Sequence, residues 1–322
     1  MAVATGTKSV GRAGRETLGS ARLREALVGY GFVAIPMGFF LLFFIFPIGY
    51  AFYISFFDWG ILGKISYLGL QNYKDLWHDD LFWTWPPHRG TAFWNTLYYT
   101  AITVPAQMAL GLVLALAVNA RIRGKSFFRA AYYFPSLTSS AAITAVAIYL
   151  LNSGGLLNAT LEGIGLGGLI PDQRAWFNDS DTALESIIGL NVWTTSGTIM
   201  LFYLATLQSI PTDVYEAAAI DGTSRWRTFW KITFPLLKPG HFFVAVLSVI
   251  GCLKLFDQAF IVSGGKGGPA YSTETAVLYL YQTAITDQYW GYAATIGVVL
   301  FVFIFLFTLG QRLLFGRAEI GY

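Results

Sequence analysis

The hydrophobic positions fall into six long runs, near 30–57, 93–119, 127–151, 184–207, 240–263 and 289–315. Each is long enough to cross a bilayer as a helix, which takes about 20 apolar residues. The third and fourth are broken up by Ser, Thr and Asn, so their polar positions are expected to face protein or an aqueous path. Between the fourth and fifth runs the pattern changes. The stretch "EAAAIDGTSRWRTFWKITFPLLKP", residues 216–239, is charged, aromatic and amphipathic. Pro211 opens a helix, Thr212 or Asp213 is placed to cap it, and Glu216, Ala217, Ala218 and Ala219 continue it. Gly222 ends it, because only glycine turns the chain there without a steric cost. "TSRWRTFWKITF" predicts a second short helix from Thr223 or Ser224. Trp226, Phe229, Trp230 and Ile232 or Thr233 share one face, and Pro235 and Pro239 stop it before the fifth run.

Composition agrees with the runs. Of 322 residues, 55% are hydrophobic and only 12% charged, where soluble domains carry about 25% charged residues. The chain is an integral membrane protein. Its one cysteine, Cys252, lies in an apolar run, so neither a disulfide framework nor a cysteine metal site is expected. Residues 1–28 are polar and basic. The apolar run that follows is too long for a secretion signal and lacks a small-residue cleavage site, so the segment is expected to remain as a cytoplasmic tail.

Charge sets the expected orientation. With the N-terminus inside, the cytoplasmic segments collect Lys8, Arg12, Arg15, Arg22, Arg24, Arg121, Arg123, Lys125, Arg129, Arg225, Arg227, Lys231, Lys238, Arg312 and Arg317. The external loops hold only Lys64, Lys74, Arg89, Arg174 and Lys266, with Asp58, Asp75, Asp79, Asp80, Asp172, Asp179 and Asp181. By the positive-inside rule both termini are cytoplasmic, and so is the 211–239 loop.

A basic aromatic helix in such a loop is often an anchor lying in the lipid headgroups. The glycine elbow between two short helices favours the other reading, a knob that docks into a partner. At this point a family resemblance enters. Glu216-Ala217-Ala218, Gly222 three residues on, Ile232 nine further and Pro235 reproduce the pattern "EAA---G---------I-LP" of permease subunits of binding-protein-dependent ABC importers. Phe234 departs from it, standing where the pattern has Leu. "YLGLQNYKDL" (67–76), "FWNTLYYT" (93–100) and "LKLFDQAFIVSGGKGGPAYSTETAVLYLY" (253–281) resemble the carbohydrate-uptake members, with Lys266-Gly267 lengthening the glycine-rich run. The likeness covers nearly the whole chain after residue 28.

That resemblance implies an all-α membrane fold: six transmembrane helices in a type I (MetI-like) importer permease arrangement, with a cytoplasmic EAA coupling helix. It implies that Glu216 makes a polar contact with a cytoplasmic ATPase, that Ala217 and Ala218 allow close approach, and that Gly222, preceded by Asp221, forms the elbow. The implied partners are a second homologous permease, two copies of the ABC ATPase, an extracytoplasmic solute-binding protein, membrane lipid and a sugar, with no nucleic acid. ATP and Mg²⁺ would sit on the ATPase, and no cofactor on this chain. The expected site is the bacterial inner membrane.

A polar solute crossing hydrocarbon needs hydrogen-bonding groups near the midplane. By resemblance to the maltose importer, whose sugar-contacting positions sit at fixed distances before and after the EAA loop, the implied substrate-path candidates are Asn191, Thr194, Thr195 and Thr198 on the fourth run. Ser248, Gly251 and Cys252 join them on the fifth, and Trp193 could stack on a sugar ring. Small polar residues also let membrane helices pack closely, which is the plainer role for any single one of them. The absence of a midplane Arg disfavours a phosphate-bearing solute. Lys254 and Asp257 are three apart and able to pair on a helix; Asp257 is a candidate for an outer gate or for binding-protein docking.

Other motifs carry less. Gly124-Lys125-Ser126 resembles the end of a phosphate loop, but position 119 is Asn where that motif needs Gly. His78, Asp79, Asp80 and His88 match no zinc spacing. The alternative class, a self-sufficient proton-coupled carrier or intramembrane enzyme, meets two obstacles. No Asp or Glu lies mid-span, and the only membrane-adjacent His, His241, sits at the end of the fifth run.

Overall fold

The structure, a computed structural model, describes residues 13–84, 90–120, 123–166 and 175–315. Lys8, Arg12, His88, Arg89, Arg121, Asp172, Arg174 and Arg317, used above for topology or weighed as ligands, lie outside the described residues. The chain divides into two compact units, residues 1–53 and 54–322.

The first unit is helical. α1 (Ala13–Phe40) passes through a π-helical turn at Leu41–Ile45 into α2 (Phe46–Ile54). The widened turn accommodates Pro47, which has no N–H to donate and whose ring crowds the preceding turn. Glu25–Ile54 is a membrane-span candidate.

The second unit opens with a feature the hydropathy pattern hides. The first run was expected to stay helical to residue 57; instead Phe57–Gly60 (β1) pairs antiparallel with Gly63–Tyr67 (β2). The helical fold class stands, with this one short hairpin added to it. Gly63, at φ +96°, makes the turn, and Phe57 packs edge-on against Tyr67 across the pair at 5.2 Å. In α3 (Gln71–Trp77), Asn72 is buried and donates to the carbonyls of Ser55 and Phe57 at 2.9 and 3.1 Å, tying the "LGLQNY" segment to the hairpin base.

The spans follow as α4 (Ala92–Asn119), α5 (Lys125–Leu137), α6 (Ser140–Leu150), the short α7 (Leu156–Gly163) and α8 (Ala183–Ser209). Next come the loop helices α9 (Thr212–Ile220), α10 (Arg225–Thr228) and α11 (Phe234–Leu236). The chain continues as α12 (Lys238–Leu253), α13 (Asp257–Ser263), α14 (Ala276–Tyr281) and α15 (Trp290–Phe315). Among the described residues, five helical segments are long and apolar enough to span a membrane. α5 and α6 together pass the same test but are bent by 93°. The third run is therefore not the continuous helix expected over 127–151. Its break falls at Thr138 and Ser139, just after Pro135, in the most polar stretch of the run.

The fifth run is also interrupted. α12 ends at Leu253 and α13 begins at Asp257, so Lys254 and Asp257 do not lie three apart on one helix and the expected i,i+3 pairing has no helix to support it. Both side chains are exposed.

Small residues set the helix spacing. A Cβ on Gly111 of α4 would fall 2.4 Å from Ile199 Cγ2 of α8, and one on Gly197 of α8 would fall 2.3 Å from the Tyr132 carbonyl oxygen of α5. Membrane helices lack a hydrophobic drive toward one another, so contact at this range is how they gain packing energy. One buried cluster (Leu112, Met200, Tyr203, Leu207, Leu237, Val244) joins α4, α8 and α12 beside the 211–239 loop. Another (Tyr99, Ile187, Leu253, Leu255, Leu278) joins the opposite halves.

Candidate functional site

Two regions concentrate the candidate residues: the 211–239 loop, and the polar middle of α4, α8 and α12. In the loop, α9 starts at Thr212 with Pro211 at its N-cap. Neither Thr212 nor Asp213 caps it, and Asp213 lies in the first turn, where its charge favours the helix end. At the other end the Thr223 N–H reaches the Ala218 carbonyl (3.0 Å) and the Gly222 N–H reaches Ala219 (3.1 Å). With Gly222 at φ +66°, this is a Schellman closure, the elbow expected of a glycine just past a helix end. Ser224 then caps α10, its hydroxyl accepting from the Arg227 N–H.

The second helix does not stop at Pro235. It passes through a π-helical turn at Phe229–Thr233, continues through Pro235 to Leu236, and turns at Leu237. Pro239 begins the next helix, in the first turn of α12, where its missing N–H has no intrahelical acceptor anyway. Trp226, Phe229 and Trp230 form the expected aromatic face, completed by Phe234 rather than by Ile232 or Thr233, with ring centroids 5.0–5.6 Å apart along Phe229–Trp230, Trp230–Phe234 and Trp226–Trp230.

The loop packs on the spans through Tyr215 and Phe229, which lie against the buried cluster shared by α8 and α12. Within the loop the Tyr215 and Thr233 hydroxyls meet at 3.4 Å, and between the spans His241 Nδ1 of α12 lies 2.9 Å from the Tyr203 hydroxyl of α8. Thr206 fills the place a Cβ on Gly240 would take. Glu216, Ala217, Asp221 and Gly222 are exposed, but Ala218 is 5% exposed and faces its own chain. Close approach by another protein therefore rests on Ala217, not on Ala218. Ile220, 86% exposed, and Trp226, 73% exposed, join the open surface. Nothing in the EAA pattern singles out Ile220; its position one turn after Glu216 could have done so.

In the membrane region, Thr195 Oγ1 of α8 lies 2.7 Å from both the Asn191 carbonyl and Gln107 Oε1 of α4, so its single proton serves one at a time. Gln107 Nε2 turns to Cys252 Sγ on α12 at 3.8 Å. Gln107, 2% exposed, thereby joins candidates from two separate runs. Sequence reasoning missed it because one Gln in "VPAQMALG" has no local signature. Gly251 is exposed with open space where a Cβ would be, whereas Ser248 and Cys252 are buried.

A small polar cleft, about 160 Å³, is lined by Pro135, Ser136, Thr138, Ser140 and Ile143 from the broken third run, Thr194, Thr195 and Thr198 from α8, and Gln258 from α13. Three of the predicted path residues line it. Asn191, Ser248, Gly251 and Cys252 do not, and Asp257 is exposed in the first turn of α13. Trp193 lines a separate, apolar cavity of about 700 Å³ between α6, α7 and α8. The larger cavity has few polar partners for a solute; the hydrogen-bonding side chains line the smaller one. Ser136 Oγ stitches the cleft floor, donating to the Thr194 carbonyl at 2.6 Å and accepting from the Thr198 N–H at 3.2 Å.

At the opposite end of the spans the "FD…GGP…ST-T" segment is pinned. Asn95 Nδ2 donates to the carbonyls of Tyr271 and Glu274 at 2.9 Å, and Asp79 accepts from the hydroxyls of Tyr279 and Tyr292. Glu274 is buried with Oε2 accepting from Gln282. Burial pushes its carboxyl up to about 7, the Gln282 bond pulling weakly the other way.

The model of the binding-protein-dependent transport system inner membrane component family matches residues 107–319. The chain belongs to this family. It is 32% identical over 302 residues to the probable ABC transporter permease protein YurN of Bacillus subtilis, covering 92% of this chain and 99% of that one. It is 34% identical over 281 residues to the lactose transport system permease protein LacF of Rhizobium radiobacter, covering 86% and 90%. Its fold matches a bacterial ABC transporter involved in the import of the acidic polysaccharide alginate, with a TM-score of 0.79 at 20% identity over 94% of this chain and 99% of that chain. The type I importer permease fold and the transport role stand on these likenesses. The family works with a solute-binding protein and resides in the inner membrane as a multi-pass component.

Proposed function

We propose that this chain is one of two homologous permease subunits of a carbohydrate importer, and that it supplies half of the solute path. Two copies of a cytoplasmic ABC ATPase bear on the EAA loops and hold the ATP and Mg²⁺; this chain binds no cofactor of its own. A solute-binding protein delivers a sugar or sugar-like compound from outside, with Asp257 near its docking face. Both termini then lie in the cytoplasm, on the side of the coupling loop.

The observation that carries this reading is the elbow. An exposed helix, α9, is closed by Gly222 and rests through Tyr215 on the buried cluster of α8 and α12, the two spans that bear the path residues and that the Tyr203–His241 contact joins. Force applied at Glu216 and Ala217 has a rigid route to Thr195 and Ser248. The relatives' names, including lactose and arabinooligosaccharide transport permeases, support a carbohydrate as solute.

Purification from native membranes tests it. A cysteine at position 216 is expected to crosslink to a copurifying ATPase, and sugar uptake into liposomes to require ATP and the binding protein. Sugar movement by the isolated chain, or position 216 reacting with membrane-impermeant reagent from outside the cell, overturns the proposal.

A further inference from the structure

The break in the third run gives the cleft a chemistry beyond that of its threonines. α6 is eleven residues long, and its first turn, Ser140 and Ile143, lines the cleft wall. Its first intrahelical bond is made by Ile143 to the Ser139 carbonyl, so the N–H groups of Ser140, Ala141 and Ala142 have no helical acceptor. The N-cap does not satisfy them, because Ser139 makes no side-chain cap bond. Ser140 Oγ is itself buried without a partner.

A second group points the same way. Gln258, 9% exposed, lines the cleft opposite that helix end, and its carboxamide has no hydrogen-bond partner among the described residues. The cleft thus offers unspent donors from two directions. The threonines contribute the complement: Thr194 and Thr195 donate their hydroxyl protons to the Asn191 carbonyl or to Gln107, leaving oxygen lone pairs to accept. No Asp, Glu, Lys or Arg lines the wall; Asp257, beside Gln258, and Lys254 are exposed and off it.

Thr195 is halfway along α8, so the cleft sits near mid-span. Broken helices in transporters aim the positive ends of their half-helices at anionic groups at this depth. We infer that the cleft is a subsite for a singly charged anionic substituent on a sugar, such as a uronic-acid carboxylate, held between the N-terminus of α6 and Gln258 while neighbouring sugar hydroxyls donate to Thr194 and Thr195. It does so with a helix end and a carboxamide, no cationic side chain lining the wall. At about 160 Å³, against roughly 300–1,000 Å³ for drug-sized sites, it takes one ring or substituent of a longer chain. The inference rests on the sugar-permease reading and narrows it.

The test uses the assembled importer, purified with its partner subunits but without the binding protein, whose own selectivity would mask this site. Equilibrium binding of a uronic-acid disaccharide and of the neutral disaccharide of the same linkage is measured at low ionic strength. The acidic probe is expected to bind about tenfold more tightly, the scale of a favourable helix-end interaction, and salt is expected to narrow the difference. Gln258→Glu is expected to lower the acidic-to-neutral affinity ratio at least about tenfold, through repulsion in a site screened from water. Equal binding of both probes, or tighter binding of the neutral one, overturns the anion subsite while leaving sugar import intact. Binding of neither probe overturns it as a solute site. Whether a strain lacking this chain still accumulates sugar through the same importer decides the broader reading separately. If Gln258→Glu fails to assemble, the comparison of the two probes on the unaltered complex still decides.

Discussion

Gly222 separates backbone strain from partner contact, because its surroundings within the chain are empty. No atom lies within 4 Å of a Cβ built at this position, so a methyl group there meets open space. Its φ of +66° is left-handed, which costs a non-glycine residue about 1–2 kcal/mol. Gly222→Ala carries only that strain, lowering the elbow's equilibrium constant about 5- to 30-fold. Gly222→Trp adds exposed bulk that a docked partner would meet. In liposomes holding the full importer, Gly222→Ala is expected to keep at least about a thirtieth of the uptake rate. Gly222→Trp is expected to lose uptake altogether while inserting normally and keeping its copurifying permease. The reasoning fails if Gly222→Trp transports as well as Gly222→Ala, since the loop then seats against nothing.

Two further outcomes are expected. Gly197→Ala places a Cβ 2.3 Å from the Tyr132 carbonyl oxygen, and forcing α5 from α8 should cost about 1–3 kcal/mol, read as a lower unfolding temperature in detergent; an unchanged temperature would mean the two helices are not in this contact. Glu274 is raised by burial from 4.5 to about 7, so it stabilises its loop fully below pH 4.5 and loses that contribution as pH rises toward 7. Hydrogen exchange over residues 264–275 should quicken through that window beyond its intrinsic pH dependence, and Glu274→Gln should abolish the excess; identical profiles for the two proteins would count against it.

Local signals told much of the story because each depends on neighbours in the chain. Five apolar runs became helical spans near their expected places, since length and hydrophobicity alone decide whether a segment can cross a bilayer. The Gly222 elbow was legible for the same reason: a helix end needing positive φ demands glycine wherever the rest of the fold goes. Burial is a different matter. Ala217 and Ala218 are identical in sequence terms, yet only Ala218 is covered.

The polar site was decided by tertiary structure. Thr194, Thr195 and Thr198 could be named from the family resemblance, but Ser136 and Gln258 come from runs far away along the chain and meet them only because the third run breaks and the fifth is interrupted after Leu253. Gln107 gains its role by facing Thr195 and Cys252 at once, a relation across 88 and 145 residues that no periodicity encodes. What the sequence by itself determined was which segments enter the membrane and where the coupling elbow turns. Which polar groups share a cleft, and which are left with unspent hydrogen bonds, depended on how helices held together by glycine contacts approach one another.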